Sequence, residues 1–241
     1  MNIKKEFNQF KVLLKSTPAT ILAFYTASLI SMNIFANKEL ISLPWLSLDC
    51  GFAVSWIAFM AMDMVVKRFG AKASIELSFF AEFINLIFAG VFFLLCLVPT
   101  NWGEFYSSGE ATVNQALNNT LGGTWYVVLG STTAFIASCI INAIVNSKIA
   151  NNLVHDNFKS YAIRSFISTF IGQFADNLIF AYIVSIHFFG WTHLQAWMCA
   201  LTGAIFELLA EVLFSPIAYK ASRSWKEEGV GQEYLDMLNK S

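Results

Sequence analysis

Apolar runs of about twenty residues recur along this chain, and they constrain its fold more than any other feature. A helix crossing a bilayer core needs about 20 mostly apolar residues, and runs of that kind lie at 19–35, 46–66, 75–98, 124–145, 163–189 and 194–219. The first and fourth carry no charge. The second carries Asp49 and Asp63, the third Glu76 and Glu82, the fifth Asp176 near its middle, and the sixth Glu207 and Glu211. Charged residues make up only 13% of the 241, where a soluble domain carries about 25%. Lipid must therefore solvate much of the surface. The expected fold class is an all-α membrane protein of six transmembrane helices.

Charge between the runs sets the expected orientation. Cytoplasmic connections collect Lys and Arg. Lys4, Lys5, Lys11 and Lys15 precede the first run, and Lys67, Arg68 and Lys72 separate the second from the third. Lys148, Lys159 and Arg164 separate the fourth from the fifth, and Lys220, Arg223, Lys226 and Lys240 follow the sixth. Fourteen of the 15 basic residues thus fall on one side, with Lys38 alone opposite. This predicts a multi-pass protein of the plasma (inner) membrane with both termini in the cytoplasm. The expected division is an amphipathic cytoplasmic segment over 1–18, lying on the membrane, a six-helix domain over 19–221, and a cytoplasmic tail over 222–241. Lys11 and Lys15 interrupt the apolar positions at the start, so that segment does not read as a cleaved signal peptide.

Two halves of three spans would be inverted relative to one another, a common transporter plan. The middle span of each half carries an Asp (Asp63, Asp176), and the last an acidic patch, ELSFFAE at 76–82 and FELLAE at 206–211. The longest connection, 100–123, is expected outside the cell. It contains Trp102, Phe105 and Tyr106 and reads as a solvated loop with interfacial aromatics, or as a lid over a cavity.

A carboxylate at mid-bilayer costs about 2.5–3.5 kcal/mol on insertion scales, so Glu82, Asp176, Glu207 and Glu211 should face the bundle interior or a wet cavity. Inter-helix hydrogen bonds could hold protonated acids there, but no Lys or Arg lies deep in any run to pair them. The expected interior is acidic and amide-rich, with Asn33, Asn85, Asn142, Gln173, Asp176, Asn177, Glu207 and Glu211 as candidate substrate-binding residues. Gln173, Asp176 and Asn177 share one helix face at i, i+3 and i+4. Glu207 and Glu211, at i and i+4, would repel if both were charged, so one is protonated or a ligand donor sits between them. Such a site suits a ligand that offers hydrogen-bond donors. A flat heterocycle would also suit the nearby Phe174, Phe180, Tyr182 and Phe206, which otherwise read as packing. At the end of the second run, Asp63 and Lys67 read as a local pair capped by Gly70, or with Arg68 as a cytoplasmic gate. His187 and His193 read as interfacial.

Cys50, Cys96, Cys139 and Cys199 show no metal-ligand spacing and read as small apolar residues. No cofactor, metal site or catalytic set is expected, and nucleic acid is not an expected partner. No phosphate-binding loop is present.

Three segments resemble the queuosine-precursor transporter family, also called the vitamin uptake transporter family. They are Ser31-Met-Asn33, the run from Phe59 through Asp63, Lys67 and Arg68 to Gly70, and the run Ser168-Thr169-Phe-Ile-Gly172-Gln173-Phe-Ala-Asp176-Asn177. The resemblance covers roughly 19–220. It implies uptake of a 7-deazaguanine such as preQ0, preQ1 or queuine, whose guanine-like edge offers N–H donors to a carboxylate. The chain departs from the family pattern in its fourth span, where Asn142 and Asn146 stand in place of a Gln and an Asp. In the sixth, Phe206-Glu207 stands where a Lys is frequent. The reading is thus a transporter, not an enzyme, importing a nucleobase-like micronutrient at a midplane site. The alternatives are the membrane subunit of an ATP-driven vitamin importer, which would need an ATPase partner, and an intramembrane enzyme. A homo-oligomer is compatible with either transporter reading.

Overall fold

The computed structural model describes residues 3–103, 111–152 and 158–239. The expected site residues Asp63, Asn142 and Glu211 fall on helical positions whose side chains lie outside the described set, as does the 104–110 part of the external connection.

The chain is helical, as expected, with one small hairpin that the apolar runs do not announce. Helix α1 (Ile3–Ser16) is followed by α2 (Ala19–Phe35), then strands β1 (Glu39–Ser42) and β2 (Ser47–Asp49). Helices α3 (Phe52–Phe69), α4 (Ala71–Cys96), α5 (Ala111–Asn152) and α6 (Phe158–Phe180) follow. A π-helical turn (Ala181–Ser185) joins α6 to α7 (Ile186–Phe189), and α8 (His193–Glu227) and α9 (Gln232–Asn239) complete the order.

The hairpin corrects the second expected span, 46–66. Pro44 has no N–H to give a helix, and the Leu43 N–H closes the turn on the Leu46 carbonyl at 2.8 Å. Ser42 pairs with Ser47 and Glu39 with Asp49. The helix starts only where the Asp49 carboxylate accepts the Gly51 N–H at 2.8 Å, a side-chain acceptor for an otherwise orphaned helix donor. At its other end α3 stops at Gly70, with φ of +89°, a conformation that favours glycine. Gly70 alone separates α3 from α4, so that part of the Asp63–Gly70 reading agrees with the structure.

The 100–123 connection is also shorter than expected, because α5 begins at Ala111. Trp102 helps to fix that start: its backbone N–H donates to Asn114 Oδ1 and its indole donates to Asn118 Oδ1 at 2.8 Å. Pro216 lies inside α8 without ending it.

Four described helical stretches are long and apolar enough to cross a membrane: Ala71–Cys96, Ala111–Ile141, Thr169–Phe189 and His193–Phe214. The count is five if Lys4–Ser16 and Ala19–Phe35, bent by 100°, form one broken span. Helix α2 has 17 residues, about 26 Å at 1.5 Å per residue. Helix α3 has 18 and carries Asp63, Lys67 and Arg68. Burial supports the membrane assignment. On α4 the buried face is, apart from Leu77, small or polar (Ala73, Ser78, Ala81, Glu82, Asn85, Ala89), whereas Phe79, Phe83, Ile87, Phe93 and Leu94 are exposed. Apolar residues turn outward where lipid, not water, is the solvent.

The chain divides into two compact units. The first comprises Met1–Ile30, Val54–Asn85 and Ala210–Ser241. Its core joins Leu13 of α1, Val65 and Phe69 of α3, Ala73 and Leu77 of α4, and Tyr234 of α9. Phe69 packs on Trp225 and Tyr234, and the Arg68 Nε donates to the Val230 carbonyl at 2.9 Å. The second unit comprises Ser31–Ala53 and Leu86–Leu209. Its core includes Ala36, Val127 and Val184 and a cluster of Ala181, Trp191 and Ala196.

Candidate functional site

Within the second unit, α8 turns a stripe of small residues inward: Ala196, Ala200, Gly203 and Ala204 are buried. Small residues let a neighbouring helix close on the backbone. At Gly203 the approach is close, since an added Cβ would stand 2.6 Å from Asn177 Nδ2. The Asn177 amide therefore lies directly on α8 and reaches the next polar residue of that stripe. Its Nδ2 is 3.4 Å from Glu207 Oε2 and 3.5 Å from Oε1. These separations exceed the usual 2.7–3.2 Å, so the amide is shared loosely between both oxygens. Glu207 is 7% exposed.

Asp176, one residue before Asn177, is half-buried and lies within electrostatic range of Glu207 and of Cys139 on α5. Gln173, on the same α6 face, is also half-buried. Asp49 from the hairpin and Glu207 from α8 itself both act electrostatically on Cys199, which lies two turns before Glu207. The Phe52 ring sits 5.0 Å from that of Phe206. Asp49 keeps some accessible surface, yet enough protein surrounds its carboxyl that burial pushes it up to about 7, against backbone N–H bonds that pull it down.

The helix bearing Asp176 and Asn177 changes pitch one turn later. The Ile186 N–H bonds to the Ala181 carbonyl, five residues back, and such π turns recur at functional sites. Tyr126 of α5 donates its hydroxyl to the Ile183 carbonyl at 2.8 Å. Gly130 lies so close to Val184 that a Cβ there would overlap its side chain. Near the end of α2, Asn33 is 1% exposed, and its Nδ2 has no hydrogen-bond partner among the described residues.

The structure thus brings Asp176, Asn177 and Glu207 together, with Gln173 on the same face and Asp49 at the hairpin end. Asn33 belongs to the same unit. Asn85 belongs to the other, buried with its Nδ2 3.3 Å from Glu82 Oε2. Of the expected gate residues, Lys67 is exposed and Arg68 bonds to Val230. Phe206 and Tyr182 are exposed, Tyr182 stacking on His193, so both are outward packing residues. Gly203, Asp49 and the π turn are contributors that the residue pattern does not single out. Asp49 carries a signal, as a charge at the edge of an apolar run. Gly203 carries none.

Chemically, the cluster is a set of acceptors with amide donors beside them. No Lys or Arg occurs between Arg164 and Lys220. Among the described residues no group of three His, Cys, Asp or Glu could hold a metal ion.

Residues 49–221 match the family model described as "Putative vitamin uptake transporter". The chain belongs to that family. The matched region starts at Asp49 and includes all of α3 to α6, so every member of the acidic cluster lies inside it, and Asn33 and α1 lie outside. No curated protein matches the chain, and no solved structure does.

Proposed function

We propose that this member of the vitamin uptake transporter family imports a 7-deazaguanine, such as preQ0, preQ1 or queuine, or a similar nucleobase-like micronutrient. The observation that carries the reading is the junction of Asp176, Asn177 and Glu207 across α6 and α8, an acceptor-rich set with Glu207 buried and the other two half-buried, without a lysine or arginine in the adjoining sequence. A guanine-like edge has adjacent N–H and NH2 donors, and a carboxylate accepts such donors in pairs. Asn177 supplies an N–H donor for a ligand carbonyl or ring-nitrogen acceptor and an amide oxygen that accepts from a ligand N–H.

In this reading α2, α3, α4, α5, α6 with α7, and α8 are the six spans, with both termini in the cytoplasm. Lysines and arginines flanking the helices support that orientation. The shortness of α2 and the charges of α3 are compatible with spanning if neighbouring helices and snorkelling side chains cover their ends. Uptake then draws on a gradient, on metabolic trapping, or on a separate ATPase.

The test is uptake of radiolabelled preQ1 and preQ0 by cells unable to make them, with and without the chain. Chain-dependent accumulation of chemically unchanged compound supports the reading. Accumulation equal in both, or conversion of the compound by purified protein, contradicts it.

A further inference from the structure

Helix α1 is amphipathic, yet its apolar side is not available to lipid. Leu13 is fully buried against Val65, Phe69, Ala73, Leu77 and Tyr234, and Phe10 packs edge-on against Phe80 with ring centroids 5.6 Å apart. The protein occupies the surface that an interfacial helix ordinarily lays into the bilayer. What α1 turns outward is its basic side. Lys4, Lys11 and Lys15, at i, i+7 and i+11, form one stripe opposite Leu13, and these three and Lys5 are exposed. Glu6, the acid of this helix, is drawn to Lys72 at 2.7 Å. The outward stripe is therefore positive along its length. It also carries Phe7, 57% exposed, with the Lys11 ammonium 4.7 Å from its ring centre.

Position fixes what that stripe meets. Helix α1 rests on Lys72, Ala73, Leu77 and Phe80, the first turns of α4, and α4 is one of the apolar stretches able to cross a membrane. Its axis is bent by 100° from α2, which enters an apolar run with only Thr17 and Pro18 between the two helices. A helix lying across the end of one span and leading at a right angle into another lies in the headgroup layer. Lysines with an aromatic ring among them suit that layer, the cations toward phosphates and the ring toward the acyl boundary.

We propose that the outward face of α1 is a binding surface for anionic phospholipid headgroups, built from Lys4, Lys5, Lys11, Lys15 and Phe7. It lies outside the residues matched by the family model and does not depend on the substrate site. Each lysine near an anionic surface raises affinity on the order of fivefold, so loss of four should remove most of the preference.

The test uses the full chain in neutral detergent, with melting temperature followed during titration with phosphatidylglycerol or phosphatidylcholine. Phosphatidylglycerol should raise the melting temperature by several degrees more than phosphatidylcholine. The variant Lys4→Gln, Lys5→Gln, Lys11→Gln, Lys15→Gln should lose most of that difference. Arginine at the same four positions should keep it, which separates lost charge from damaged folding. So should Lys220→Gln, Arg223→Gln, Lys226→Gln, which removes exposed positive charge elsewhere. The proposal is overturned if the fourfold Gln variant keeps the full preference, or if the unaltered chain shows none. It also falls if inorganic phosphate gives an equal shift, which marks a free-anion site. Stabilisation by polyglutamate but not by phosphatidylglycerol would mark a soluble acidic partner instead.

Discussion

The contact between Asn177 and Glu207 depends on a residue with no side chain. A methyl group at Gly203 would force the Asn177 amide away from Glu207, because the added carbon would stand 2.6 Å from its Nδ2. Gly203→Ala should therefore lower ligand affinity about tenfold or more, while alanine's better helix propensity, roughly 1 kcal/mol, offsets part of the packing strain. Calorimetric titration beside a melting curve checks this, and unchanged affinity would detach Asn177 from the site. Asp49 allows a second prediction. Its carboxyl sits near 7 in the folded chain against an ordinary 3.8, so between those values the folded state holds a proton that the unfolded state has released. Stability then falls as pH rises from about 4 to about 7 and levels above it. Asp49→Asn, which keeps a side-chain acceptor for the Gly51 N–H, should flatten that part of the melting-temperature profile. An identical slope in the variant would show that other groups cause it. The charges of Asp176 and Glu207 were legible as costs in an apolar run, and the shared face of Gln173, Asp176 and Asn177 followed from helical spacing. That Asn177 meets Glu207 was not legible. It depends on the closeness of two helices at Gly203, and a glycine within an apolar run looks the same whether or not another helix rests on it.

At the scale of elements, hydropathy located the long helices but misplaced their ends. Apolar Leu46 and Leu48 merged with the run that follows, although Pro44 and the Asp49 acceptor make the first part a hairpin and delay α3 to Phe52. Polar residues 111–123 (ATVNQALNNTLGG) broke the next run, yet they continue α5, whose Asn114 and Asn118 hold Trp102. The π turn could not be read at all, since its pitch reflects local packing more than any residue pattern. Tyr126 supports it from α5 through the bond to the Ile183 carbonyl. Tyr126→Phe removes that donor and should destabilise the chain by about 0.5–1.5 kcal/mol, seen as a melting temperature lower by a few degrees. If the π turn sets the direction of Asp176, ligand affinity should fall as well. Full affinity with the expected drop in melting temperature would assign the turn a packing role only.

For the whole molecule, sequence and structure agree on a helical membrane protein whose long helices turn apolar residues outward, and the chain belongs to the vitamin uptake transporter family. The proposed orientation, with both termini in the cytoplasm, rests on the basic residues that flank the apolar runs, and labelling tests it. A cysteine at Asn101, exposed in the connection after α4, should react with an impermeant maleimide on intact cells. A cysteine at Lys226, exposed near the end of α8, should react only after permeabilisation. Labelling of the second position on intact cells would refute the six-span arrangement. The central claim is that the acids of α6 and α8 recognise a nucleobase-like ligand, and one titration addresses it directly. Purified chain is titrated with preQ0, preQ1 and queuine, with and without Asp176→Asn, the melting temperature serving as the control for folding. A hydrogen bond to a charged group contributes about 1.5–3 kcal/mol, so the substitution should weaken binding of the recognised compound about 10- to 150-fold with the fold intact. Equal affinity in the unaltered and substituted proteins, or no binding of any of the three by well-folded protein, would contradict the claim.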